Sequence, residues 1–139
     1  MMKAVLEGYG FTRFAGVRIA GDEFQMEIED LDLARLPMCL YAFVVGNEIV
    51  RIGSSKAALG SRMASWRRDV SGALAGRRTS TPPKEADGWR DLLSSQAGVI
   101  YARQGTQVTT QIGTFNAYIA EESYLIGLYR PRQNRSMHR

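Results

Sequence analysis

One cysteine and one histidine in 139 residues exclude several common chemistries. Cys39 has no intrachain disulfide partner and sits in an apolar stretch, so it reads as core and suggests a reducing, cytoplasmic setting. The lone His138 lies in a polar tail, which argues against a Cys–His nucleophile. No apolar run approaches the ~20 residues that span a bilayer. The N-terminus, MMKAVLEGYGF, has no apolar core of signal-peptide length, so no secretory signal is expected. Internal repeats and low-complexity tracts are absent. Lysine is scarce as well, with three against fifteen arginines.

What is present fits one globular domain with its own core. Apolar residues make up 45% of the chain, which argues against wholesale disorder. The net charge is +4 and the pI about 9.5. Arginine's planar fork suits phosphate, so an anionic polymer is one partner this composition allows; a solvated Arg-rich surface is the other reading. The charge is uneven. Residues 1–40 hold four basic and seven acidic side chains, whereas residues 60–90 hold seven and three.

Tyr9, Phe11 and Phe14 form an N-terminal aromatic cluster. Alternation on either side of Gly21-Asp22 predicts a β-hairpin, and Asp30 to Leu36 a short helical turn before Pro37. Leu40–Val45 is apolar on both faces, as in a strand within a covered sheet. A second strand follows Gly46-Asn47. A strict two-residue turn there puts Tyr41 and Arg51 on opposite faces, whereas a longer loop or a bulge puts them on the same face. Leu59, Met63, Trp66, Val70 and Leu74 form a helical stripe within Lys56 to about Gly76. TSTPP (residues 79–83) is a loop, and Glu85 to Gln96 a second helix burying Trp89, Leu92 and Leu93. Gly98 to Ala102 returns to strand, residues 106–113 are ambiguous, and a last helix runs from about Phe115 to Tyr129, before Pro131. Its buried stripe is read as Phe115, Tyr118, Ile119, Leu125, Ile126 and Tyr129. The expected fold is α/β (α+β): a small mixed or antiparallel sheet flanked by helices. Residues 1–37 form an N-terminal extension with a hairpin, and residues 38–134 the core.

Four side chains in this pattern invite chemistry. Glu122 falls within the apolar stripe of the last helix, where a carboxylate is costly unless paired or bound to a cation. It is either an ion-paired glutamate or a ligand for a hard metal such as Mg²⁺. Tyr41 is either a buried aromatic or, beside a cation such as Arg51, a phenol poised as a general base. Arg51 interrupts an apolar strand, so it snorkels from an edge or points into a cleft. Arg62 is a solvated helix residue or, with the other two, a cation that stabilises charge on a phosphate.

Taken in order, these residues resemble the GIY-YIG nuclease family. The first triplet reads Cys39-Leu40-Tyr41 and keeps its tyrosine; the second reads Arg51-Ile52-Gly53 and has lost its own. Ser54 stands at the family's usual lysine, and Arg62 comes one residue later than usual. Glu122-Ser-Tyr-Leu-Ile and Pro131-Arg-Gln-Asn134 match at every fixed position. The resemblance covers most of the chain, with Glu7–Phe14, Tyr41–Arg78 and Tyr101–Gln104 included. It implies a Mg²⁺- (or Mn²⁺-) dependent DNA endonuclease that leaves 3′-hydroxyl and 5′-phosphate ends. Tyr41, Arg51, Arg62, Glu122 and Asn134 would be catalytic, with Glu122 the metal ligand. Arg13, Arg67, Arg68, Arg77, Arg78 and Arg103 would bind DNA, and a homo-oligomer would be needed to cut both strands. The changed second triplet motivates a rival, a non-catalytic nucleic-acid-binding module on the same scaffold. A protein-interaction domain with an incidental basic surface is a third reading.

Overall fold

A computed structural model describes residues 1–134. Its centre is β3 (Cys39–Val45), in which all seven residues are buried. β3 lies between β4 (Glu48–Ser55) and β5 (Gly98–Gln104), in a five-stranded sheet ordered β2-β1-β5-β3-β4. Every pairing in this sheet is antiparallel. The N-terminal hairpin, β1 (Thr12–Ala20) and β2 (Glu23–Ile28), turns at Gly21-Asp22 as the alternation predicts and joins the sheet through β5. The expected α+β architecture is therefore the one observed, with an antiparallel sheet.

Both faces of the sheet are covered, which is why β3 is apolar throughout. On one face lie α3 (Leu59–Leu74) and α4 (Pro83–Leu93), packing Leu59, Met63, Trp66, Val70, Ala86 and Trp89 against Phe24, Phe43 and Val50. Four aromatics interlock there, with Phe43 and Trp66 centroids 4.7 Å apart. The other face is covered by α1 (Met2–Gly8) and α5 (Tyr118–Tyr129) through Leu6, Leu125 and Ile126. A short α2 (Leu31–Ala34) starts at Asp30, whose carboxylate caps the Leu33 amide at 3.0 Å.

The β3–β4 turn combines both options left open by the sequence. Val45 pairs with Glu48 across a two-residue turn with Gly46 at φ +63°. A bulge at Val50 then shifts the register, so Phe43 faces Arg51 and Tyr41 faces Gly53. The slip returns Arg51 to the Tyr41 face.

Three readings change. α3 begins at Leu59 rather than Lys56, because β4 stays paired with β3 as far as Ser55. α1 has no counterpart among the elements expected from the sequence, and the aromatics Tyr9, Phe11 and Phe14 all lie beyond it. The last helix starts at Tyr118; Phe115 belongs to a small hairpin, β6 (Gln107–Thr109) with β7 (Thr114–Asn116), formed by the ambiguous Thr-rich stretch. Phe115 and Ile119 are exposed, so neither belongs to the buried stripe. No described helix is long and apolar enough to cross a membrane.

Candidate active site

β4 is an edge strand, and its free side is where the functional candidates gather. A cleft of about 760 Å³ opens there, and Tyr41, Arg51, Arg62, Glu122 and Asn134 all line it. They arrive from β3, β4, α3, α5 and the segment after α5. The bulge supplies Arg51, the start of α3 supplies Arg62, and α5 lays Glu122 against β4.

Tyr41 packs its ring in the core, edge-on to Phe43 at 5.8 Å. A Cβ on Gly53 would collide with the Tyr41 ring and hydroxyl, so glycine there makes the room the phenol occupies. No described residue hydrogen-bonds the Tyr41 hydroxyl, although Tyr41 lines the cleft.

Arg51 is held on three sides. Its Nη1 donates to the Gln133 carbonyl at 3.2 Å and lies 3.6 Å from Glu85 Oε2. The guanidinium sits 5.7 Å from the Trp66 ring centre, while its Nε is buried without a partner. Of the alternatives left by the sequence, Arg51 takes both: it lies on an edge strand and reaches into the cleft. Arg62, in contrast, is exposed and has no acidic partner among the described residues.

Glu122 is half-buried, and its Oε1 accepts a 2.8 Å hydrogen bond from Ser54 Oγ. The ion pair that would make it an ordinary core-edge glutamate is absent among the described residues. No described group of three or more His, Cys, Asp or Glu side chains converges anywhere on the molecule. Ser54, which stands where the resemblance expects lysine, therefore positions this carboxylate.

Asn134 clamps the edge. Its Oδ1 accepts from the Ile52 amide and its Nδ2 donates to the Ile52 carbonyl, both at 2.8 Å. Gln133 adds an amide bond to the Val50 carbonyl at 2.9 Å and a side-chain bond to the Glu85 carbonyl at 2.9 Å. The side-chain amide of Asn134 is thus spent on strand backbone, which makes it a positioning residue for β4. Replacing Asn134 with Ala leaves two buried peptide groups unpaired, at a cost of about 1–3 kcal/mol. Chemical denaturation of Asn134→Ala checks this; a loss below about 0.5 kcal/mol contradicts the clamp.

The predicted DNA-binding arginines lie outside the cleft walls. Arg67, Arg68, Arg77 and Arg78, on α3 and just beyond, have no acidic partner among the described residues. Arg13 forms a two-pronged pair with Glu29 at 2.8 and 3.0 Å. The Glu29 hydrogen bond raises the Arg13 pKa and lowers that of Glu29. Arg103 donates to Tyr9 and Thr106 and lies 3.7 Å from Glu121. These two are therefore committed to internal contacts. Arg135, Arg139 and His138 lie outside the described residues. Burial pushes the Cys39 thiol up to about 11, so it stays protonated core.

Sequence reasoning missed Trp66, Asp69, Thr81, Lys84 and Glu85 as cleft residues. The TSTPP loop was the available signal, because it carries Thr81 to the cleft and leads into Lys84 and Glu85 at the start of α4.

No protein-family model matches the chain, and no curated protein sequence does. Solved structures do. A mutant of bacteriophage T4 EndoII superposes with a TM-score of 0.64 at 21% identity, over 96% of this chain and 98% of that one. The restriction endonuclease HPY188I, in complex with product DNA, gives 0.55 at 16% identity, over 91% and 79%. At these identities the likeness is one of fold.

Proposed function

We propose that the cleft beside β4 is the active site of a metal-dependent DNA endonuclease of the GIY-YIG type. The convergence of an unpartnered phenol, an unpaired guanidinium and a half-buried carboxylate on one cleft carries this reading. The fold likeness to a phage EndoII and to a restriction endonuclease with product DNA supports it.

In this mechanism Tyr41 acts in its deprotonated form, accepting a proton from the attacking water as the new P–O bond forms. The bond to the 3′ oxygen breaks, and that oxygen takes a proton from solvent, leaving a 3′-hydroxyl and a 5′-phosphate. Arg62, with no acidic partner among the described residues, balances charge building on the phosphate oxygens. Arg51 is already spent on Glu85 and Gln133, so it shapes the wall and positions β4. Glu122 fits a Mg²⁺ (or Mn²⁺) ligand: no cation among the described residues pairs with it, Ser54 orients it, and a lone carboxylate completed by water suits this ion. When bound, such an ion supplies Lewis acidity at a phosphate oxygen.

Arg67, Arg68, Arg77 and Arg78 would grip flanking phosphates. The logarithm of duplex affinity should then fall linearly with the logarithm of salt, and Arg67→Gln or Arg68→Gln should each flatten that slope by about 1. Fluorescence anisotropy across a salt series measures it; unchanged slopes remove these residues from the interface. One cleft breaks one strand, so a double-strand break requires two protomers.

Arg51 is the observation that favours the rival module, since the residue in the changed triplet is absorbed into an ion pair. Plasmid nicking with Mg²⁺ decides. If wild type, Tyr41→Phe and Glu122→Gln all leave supercoiled plasmid intact while still binding it, the enzyme reading fails and the module stands.

A further inference from the structure

Among the described residues, nothing covers the outer face of α5. Every exposed residue of this helix is uncharged: Ile119, Ala120, Ser123, Tyr124, Gly127 and Leu128. Ile119, Tyr124 and Leu128 are 59%, 70% and 53% exposed. The hairpin leading into α5 adds exposed Val108, Ile112 and Phe115, with Val108 and Phe115 paired across its strands. A helix that covers a core with one side normally turns charge toward water with the other. This one does not.

We infer that this face is the contact surface between two copies of the chain, related by a two-fold axis. The two aromatics carry on the order of 200 Å² each and the four aliphatic side chains somewhat less, so at these exposures the six leave several hundred Å² of apolar surface in water. That is at the upper limit for a monomer and near the ~800 Å² per partner of a standard interface. Charge points to a second copy. The chain is basic at +4 overall, yet among the described residues this face carries neither sign, so two copies meet here without opposing like charges. An anionic partner would find no cation on it.

The helix also fits itself. At 100° per residue, Ala120 and Gly127 fall on the centre line of the exposed face, equidistant from the helix midpoint. An antiparallel pairing sets Ala120 of one copy over Gly127 of the other, where two small residues allow close approach. Ser123 and Tyr124 lie nearest the axis. Glu122 points the opposite way, to Ser54, so pairing leaves the cleft open. The two-fold also supplies the second cleft that cutting both strands demands, and in that clause alone the inference rests on the nuclease reading.

Sedimentation equilibrium of the full chain, without DNA, tests the interface. Wild type should be a dimer at micromolar concentration. Tyr124→Glu and Leu128→Glu together should give a monomer with an unchanged far-ultraviolet circular dichroism spectrum. Ser123→Cys should form an intermolecular disulfide under mild oxidation, with buried Cys39 as a silent background. A wild-type monomer at about 100 µM, or a glutamate variant that stays dimeric, overturns the inference. None of these readouts needs catalysis, so a protein that pairs this way yet never nicks plasmid would fail the nuclease reading alone.

Discussion

Glu122→Gln should lower Mg²⁺-dependent nicking of supercoiled plasmid by about 10³-fold. The replacement keeps the volume and a carbonyl oxygen that can still accept from Ser54 Oγ. What it removes is the negative charge. A metal at a phosphate contributes several kcal/mol of transition-state stabilisation, and each ~1.4 kcal/mol is tenfold in rate. Affinity for duplex DNA without metal should hold or rise slightly, since a carboxylate near the phosphate has gone. Initial nicking rates over a Mg²⁺ titration measure the effect. A loss smaller than tenfold at saturating metal would remove Glu122 from the metal site.

Tyr41→Phe should cost about 10²–10⁴-fold, the range for losing a general base. The control is unusually clean. The ring stays in its packed position against Phe43, and the missing hydroxyl has no partner among the described residues, so stability should change by less than about 1 kcal/mol. A variant that melts as late as wild type but no longer nicks marks the hydroxyl as functional. Full activity in Tyr41→Phe would move the base elsewhere in the cleft.

Much of this arrangement was legible before any coordinates. Period-two alternation placed the N-terminal hairpin, and the three-and-four spacing of Leu59, Met63, Trp66, Val70 and Leu74 placed α3, because each pattern reports one buried face. The clustering of Tyr41, Arg62 and Glu122 followed from the ordered motifs rather than from any one residue. The errors have physical causes. Phe115 and Ile119 carry the hydrophobicity of core residues, and a sequence does not distinguish an apolar face turned to the sheet from one turned outward. Asn134 lines the cleft, but the clasp of its side chain on Ile52 spans the whole α3–α5 region, a pairing no local pattern encodes. The pairing of Arg13 with Glu29 and of Arg103 with Glu121 was not legible, because these partners are distant in sequence.

The Ile52–Asn134 clasp joins positions 82 residues apart. Such closure carries a large entropic cost, met only after the intervening helices have docked. On the ribosome, β3, β4 and β5 can align while the strip that seals β4 is still being made. A nascent chain therefore holds its phenol and both cleft arginines before it has the carboxylate, and gains a complete cleft only once residues 122–134 have emerged.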